Sequence, residues 1–257
     1  MLSKAKIKFI KSLQIKKYRK QEQCFIVQGA KSVQELLTSD FETVTVIGTA
    51  PALASLKSKS SVELIETGEK ELGSLSEFQT NDSVLAVARI KSAKAFHPRL
   101  DEFVLVLDDI RDPGNLGTII RTADWYGINH IVASPETADF YNPKVISATM
   151  GSFTRTTVYY VDLLPVLSQT NQKVYGAYLE GKNIHQERFS DGGLVLIGNE
   201  SHGISPQYEK FVTDKITIPR FGHAESLNAA IATAIICDNL RRGDEVRGER
   251  DEVRGTR

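Results

Sequence analysis

Cysteine is scarce in this chain: Cys24 and Cys237 are the only two in 257 residues, and they lie far apart. That disfavours a disulfide framework or a zinc knuckle and fits a reducing, cytoplasmic setting. Long apolar runs are missing too. None approaches the roughly 18 to 20 residues a bilayer-spanning helix needs, and no signal-type apolar stretch follows the basic N-terminus. Net charge is zero, with 32 basic against 32 acidic residues. This argues against an indiscriminate nucleic-acid coat and leaves room for a local patch. The histidines His97, His130, His185, His202 and His223 show no paired ligand spacing, so no metal is expected. Asp108, Asp109 and Asp112 could recruit one, but carboxylates around a loop more often serve as caps. No G-x-G-x-x-G follows a strand, which disfavours the usual dinucleotide fold. GAYLEGKN (176–183) falls one residue short of a P-loop, because Asn183 has no hydroxyl for magnesium.

What is present is a core-forming composition, 41% hydrophobic and 25% charged, enough for one large or two ordinary domains. The first 31 residues crowd basic side chains: Lys4, Lys6, Lys8, Lys11, Lys16, Lys17, Arg19, Lys20 and Lys31, with Glu22 the one acid among them. Such a helix-compatible segment is a candidate phosphate-binding face, with Lys8, Lys11, Lys16, Lys17, Arg19 and Lys20 as the RNA-contacting set; a solvated helix face is the plainer reading. Residues 5–14 read as an amphipathic helix. Strands are expected at 25–28, 44–47, 62–65 and 84–90, with helical pieces through Leu37 and near 69–75. This is a small α/β unit over 1–90, and the polar, Pro-bearing stretch 91–102 reads as a linker.

From 103 the pattern alternates strand and helix. FVLVL (103–107) is a continuous apolar run, as expected of a central parallel strand. Helices are expected at 116–126, 143–150, 162–168 and 205–211, and strands at 131–133, 157–161, 174–179, 194–197 and 215–218. The fold class is therefore α/β with a mostly parallel sheet over 103–242, and ligands belong at the strand C-termini. In the final helix Leu227, Ala230, Ile231, Ala234 and Ile235 form an apolar stripe, and Ser226 is the expected N-cap. The tail 243–257 holds DEVRGER followed by DEVRGTR. It has too little apolar content to bury, and reads as disordered or as a charged helix extension.

Polar, glycine-bearing loops follow three of these strands: DDIRDPGNLGTIIR (108–121), GNESHGIS (198–205) and PRFGHAESLN (219–228). Asn115 is placed to accept from N–H groups at a helix start. Each loop alone is compatible with a capped turn; three at successive strand ends suggest a shared site.

Taken together, NLGTIIRTA, LIGNESHGI and IPRFGHAESLNAAIA resemble, in order and spacing, the motifs of the SpoU (TrmH-type) RNA ribose 2′-O-methyltransferases of the SPOUT superfamily. The resemblance covers roughly 103–242. The basic N-terminal unit is similar to the small RNA-binding domain that many members carry. The family implies a trefoil knot in the C-terminal domain, S-adenosyl-L-methionine as cofactor, and a homodimer in which Arg121 of one subunit approaches the other's cofactor. It implies cofactor contacts at Leu179, Gly181, Gly198, Asn199, Gly203, Ile218, Leu227 and Asn228, and catalytic roles for Asn115, Arg121, Glu200, Ser226 and Asn228. Two departures bear on substrate detail: Arg220 follows Pro219 where many members have Met, and Ala229 and Ala230 follow Asn228 where many have a β-branched pair. The expected activity is methyl transfer to a ribose 2′-hydroxyl in structured RNA, ribosomal RNA favoured over transfer RNA. The alternatives are a non-catalytic RNA-binding protein on this scaffold and methylation of a base nitrogen.

Overall fold

The structure, a computed structural model, describes residues 2–57, 62–75, 83–92, 95–96 and 101–254. In chain order its elements are α1 (Lys4–Ser12), α2 (Lys16–Glu22), β1 (Cys24–Gln28), α3 (Ala30–Thr38), β2 (Thr43–Gly48), α4 (Ala50–Ser55), β3 (Glu63–Glu66), α5 (Glu69–Gly73) and β4 (Val84–Arg89). Then come β5 (Phe103–Leu107), α6 (Pro113–Trp125), β6 (His130–Ala133), α7 (Pro143–Thr149), β7 (Thr157–Tyr160), α8 (Leu163–Ser168), β8 (Val174–Asn183), β9 (Gly193–Ile197), α9 (Pro206–Glu209), β10 (Asp214–Thr217) and α10 (Ala229–Arg254).

Compactness divides the chain differently from composition. One unit comprises Met1–Ala93 together with Asp139–Thr154; the other comprises Lys94–Ala138 and Arg155–Arg257. Residues 139–154, expected to belong to the second domain, thus pack with the first. Much of the expected linker, 93–94 and 97–100, lies outside the described residues.

The first unit is built on a four-stranded sheet ordered β1-β4-β2-β3. Successive side chains of a strand face opposite ways, so β1 serves two cores. Cys24 and Ile26 join Ile10, Leu13, Leu72 and Leu85 on one face. Phe25 points the other way, its ring 4.7 Å from Tyr141 and 6.1 Å from Phe153. Those two aromatics are why the 139–154 segment belongs to this unit; nothing in their local sequence advertises a distant strand as partner.

Arg19 ties the same segment down. It is only 2% exposed. Its Nη1 donates to the carbonyls of Leu13 (2.9 Å) and Gln14 (2.7 Å), and its Nη2 to Asp139 Oδ2 (2.6 Å). The expectation that Arg19 contacts RNA is therefore corrected: the side chain is buried and both terminal nitrogens bond inside the protein. Lys8, Lys11, Lys16, Lys17 and Lys20 are exposed, as that expectation requires.

The second unit holds a six-stranded parallel sheet ordered β10-β8-β9-β5-β6-β7. β5 and β9 are buried along their length, as continuous apolar runs in a doubly covered sheet should be. The chain leaves β5 toward β6 and later returns to its other side with β9. The order thus reverses between β5 and β9, and crevices for ligands form at the carboxyl ends of strands at such a point. GAYLEGKN lies within β8 rather than in a strand-to-helix turn.

α6 starts one residue after Asp112, whose side chain accepts from Asn115 N (2.8 Å), with Pro113 at the first helical position. The expected capping role of Asn115 belongs to Asp112, because the helix begins earlier than its apolar spacing indicates. Gly127 closes α6 with φ +67°, and Arg241 donates to the carbonyls of Tyr126 (2.7 Å) and Gly127 (3.2 Å). A cation at a helix C-terminus is doubly favourable, through hydrogen bonds and the helix dipole.

α10 corrects two further expectations. Its cap is Asn228, whose Oδ1 accepts from Ala230 N (3.0 Å) and Ile231 N (3.3 Å); Ser226 lies two residues earlier in an exposed loop. Its buried apolar face is Ala229, Ala230, Thr233, Ile236, Cys237 and Leu240; of the expected stripe Ala230 is buried, Ala234 and Ile235 are half-buried, and Ile231 is 52% exposed. The helix is apolar on more than one side, so spacing selects a period but not which face is covered. It continues through the charged repeat to Arg254, and 255–257 lie outside the described residues.

Removing a partner from a buried ion pair strands the other charge. Arg19→Met is expected to lower stability by about 2–3 kcal/mol, somewhat below the usual cost because Asp139 is partly solvated. Arg19→Lys should recover only part of this, since an ammonium cannot reproduce the guanidinium fork. Urea unfolding of both variants measures the difference.

Candidate active site

The three polar loops converge in the second unit. Asn228 Nδ2 donates to Asn115 Oδ1 (2.8 Å), and Asn115 Nδ2 donates to Glu200 Oε1. Residues 85 and 113 positions apart are thereby joined through a single amide. The direction of this chain is dictated by its ends. An ionised glutamate only accepts, so Asn115 must present its NH2 group there. At the other end the first N–H groups of α10 occupy Asn228 Oδ1, leaving its Nδ2 to donate. Amide orientation is thus set by partners that admit no other assignment.

Loop 198–205 is held by aspartates at the end of β5. Ser205 N donates to Asp108 Oδ2 (2.7 Å), and Asn199 Nδ2 donates to the Asp109 carbonyl (2.8 Å). Asp109 takes φ +59° and accepts from Arg111 Nε (2.7 Å), while His202 Nε2 stands 3.4 Å from its Oδ2. Both aspartates are buried, at 3% and 7% exposure. They act as braces, and the signal for that role in the sequence is an Asp pair directly after a continuous apolar strand. Asn199 and Gly203 close the loop with paired backbone bonds of 3.0 and 2.9 Å. A Cβ on Gly198 would stand 2.2 Å from the Gly203 carbonyl carbon. Only glycine permits this closure.

The segment 177–181 is shaped by a break in register. Lys215 pairs with Gly176 but Ile216 pairs with Lys182, so the intervening residues leave the ladder. Thr217 Oγ1 donates to the Leu179 carbonyl (2.9 Å), and a Cβ on Gly181 would meet Lys215 O at 2.6 Å. The excursion leaves Leu179 74% exposed beside the strand that leads into Ile218. Ile218 lines a cavity of about 450 Å³ with Tyr126, His185, Ala234, Ile235 and Asn239. Leu227 is 46% exposed.

Two expected site residues stand apart. Ser226 is exposed and bonds to none of the others. Arg121 follows Asn115 by six positions, which at about 100° per residue puts it roughly 120° around α6. It is exposed, and among the described residues its guanidinium has no hydrogen-bond or ion-pair partner. Among the described residues no cluster of metal-ligating side chains occurs, and no helix is long and apolar enough to cross a membrane.

Comparison with known proteins agrees with this geometry. The sequence profile of the SpoU rRNA Methylase family matches residues 102–238, and that of the MRM3-like substrate binding domain matches 4–86. The Bacillus subtilis protein named 23S rRNA (guanosine(2553)-2′-O)-methyltransferase RlmP is 30% identical over 243 residues, covering 92% of this chain and 96% of its own. An AdoMet-bound rRNA methyltransferase from Sinorhizobium meliloti superposes with a TM-score of 0.84 at 28% identity, over 94% of this chain and 96% of that one. A TrmH-family structure from Porphyromonas gingivalis gives 0.85 at 36% identity, over 94% and 99%.

Asn115→Asp should loosen the site more than Asn115→Ala, because it replaces a donor facing Glu200 with a second negative charge. Amide hydrogen exchange over 199–204 and 228–232 is expected to rise in both variants, and further in the aspartate.

Proposed function

The chain belongs to the SpoU rRNA methylase family, and from that premise we propose that it transfers a methyl group from S-adenosyl-L-methionine to a ribose 2′-hydroxyl of ribosomal RNA. The observation that carries this reading is the Asn228–Asn115–Glu200 chain, which gathers all three motif loops at one place.

The residues present fit the cofactor. Gly181 and Gly198 let neighbouring backbone close in and fix the loops, Gly203 leaves open space beside its own backbone, and the exposed side chains of Leu179 and Leu227 supply apolar walls with no cover of their own. Those residues, with Asn199, Ile218 and Asn228, would hold it. When bound, the cofactor supplies an electrophilic methyl on a sulfonium sulfur. The protein must then position the sugar oxygen and accept its proton. Positioning alone can provide much of the rate. Glu200 is exposed, and one of its oxygens is already occupied by Asn115. The other oxygen is the candidate acceptor for the hydroxyl proton, and Ser226 is close enough in sequence to Asn228 to orient that hydroxyl. A guanidinium such as that of Arg121 has five N–H donors and no acceptor. It suits an RNA phosphate or the developing negative charge on the ribose oxygen.

Arg121 needs a second copy of the chain to reach such a site. Trp125, four residues on and so on the same face of α6, is 84% exposed, and Ile231 of α10 is 52% exposed. These apolar groups suit a homodimer interface that would bring Arg121 to the partner's loops. The trefoil knot of the family belongs to this reading as well: α10, lined by Ala229 and Ala230, can lie close to other backbone. Residues 1–90 serve as the RNA-binding part.

Calorimetry with S-adenosyl-L-methionine and mass spectrometry of nucleosides from methylated RNA test the function. No binding at millimolar cofactor, or label on a base nitrogen, defeats it. Arg121→Ala is expected to keep cofactor affinity and lower turnover by about a hundredfold or more. Mixing it with Gly198→Ala, which lacks a usable loop, should restore part of the activity if Arg121 works across the dimer; no recovery places it in its own subunit's site. Trp125→Asp should sediment as a monomer.

A further inference from the structure

The exposed corner between α1 and α2 is more than a row of charges. Lys11, Lys16, Lys17 and Lys20 are exposed, and among the described residues none is in an ion pair. Amid them stand Ile15, 54% exposed, and Tyr18, 37% exposed. They are three positions apart at the start of α2, where Tyr18 N donates to Ile15 O (3.0 Å). Lys17 Nζ lies 5.9 Å from the centre of the Tyr18 ring. The corner is held in shape from beneath by Arg19, whose donors grip the carbonyls of Leu13 and Gln14.

We propose that Tyr18 is a stacking platform for an unpaired RNA base, with Ile15 abutting it and the lysines holding the flanking phosphates. The inference rests on the RNA methyltransferase reading above and specifies what its RNA-binding part recognises. Aromatic side chains inside a basic groove are how proteins hold single-stranded nucleic acid, because every base has a stackable face. A duplex offers no such face to a side chain on a helix surface. Charge also separates base from phosphate. Glu22, the one acid of α2, follows Tyr18 by four positions and so lies on its side of the helix. A carboxylate there repels a phosphate, and it accepts readily from the N–H edge of a base. A rigid corner costs little ordering on binding.

The test uses the full chain and two RNAs: a hairpin with 2-aminopurine in its unpaired loop, and a blunt duplex of equal length. Stacking on Tyr18 should quench the 2-aminopurine. Tyr18→Ala should abolish that quench and weaken hairpin binding by about tenfold, with duplex binding unchanged. Tyr18→Phe should preserve both, which separates the ring from any effect on folding. In methyl transfer Tyr18→Ala should raise KM far more than it lowers kcat, with cofactor affinity intact by calorimetry. Replacing Lys16, Lys17 and Lys20 by Gln should instead weaken both RNAs alike and flatten the salt dependence. Equal quenching and affinity in Tyr18→Ala and wild type would overturn the platform. So would tight binding to phosphatidylglycerol vesicles with no preference for the loop. A wild-type protein that quenches the loop base but transfers no methyl would sink the enzymatic reading and leave the platform standing.

Discussion

A single carboxamide, that of Asn115, holds the candidate site together. It donates on one side to a group that can only accept, and accepts on the other from a group whose own oxygen is taken by a helix N-terminus. This leaves no freedom to reverse the chain. The polarity of α10 is thereby transmitted to Glu200: N–H groups at the start of the helix orient Asn228, which orients Asn115, which orients the carboxylate. The site is built on the edge of two helices rather than on loops alone, because both amides sit in the first turns of α6 and α10 or at their caps.

That arrangement depends in turn on sheet order. Loops separated by most of a domain can meet only if their strands end side by side, and the reversal between β5 and β9 provides this for the first two. Asp108 and Asp109 then convert proximity into fixed geometry. Each is buried and each accepts from the facing loop, Asp108 through Oδ2 from Ser205 N and Asp109 through its carbonyl from Asn199 Nδ2. The third loop arrives by a different device. β10 pairs with β8 across a five-residue slip, Lys215 with Gly176 and Ile216 with Lys182, so the ladder ends by pushing Leu179 outward. Glycine at 181 is required because the Lys215 carbonyl passes where a Cβ would be.

Much of this was legible in the sequence, and the failures have identifiable causes. FVLVL and GLVLI are unbroken apolar runs, and a parallel sheet follows from them and from the helices between. The meeting of the loops rested on motifs, and the contacts between Asn115, Glu200 and Asn228 agree with it. Ser before the apolar stretch suggests a cap at Ser226, yet Asn228 has an equally good oxygen and lies closer to the helix. The covered stripe of α10 was misjudged for a deeper reason: two stripes are apolar, and periodicity is blind to which one has a neighbour. Arg19 sat in a basic run, where charge alone cannot separate an exposed cation from one bound to an aspartate 120 residues away. The adoption of 139–154 by the first unit is likewise a long-range event, written in Tyr141 and Phe153 only once Phe25 is known to face them.

The misjudged stripe of α10 and the solitary Arg121 reflect one situation. In a single chain α6 presents Arg121 and Trp125 to solvent, and α10 presents Ile231. An isolated exposed apolar residue means little. A tryptophan 84% exposed on the same helix face as an unpaired arginine is a different matter. Burying that tryptophan against another copy would carry the arginine with it, and a guanidinium brought toward RNA in this way meets a phosphate without competing for Glu200, whose bound oxygen is satisfied by an amide. In the proposed homodimer the base and the cation that offsets negative charge on the RNA would then come from different subunits. An arginine held beside Glu200 in the same chain would form an ion pair and use up the carboxylate that the sugar hydroxyl requires.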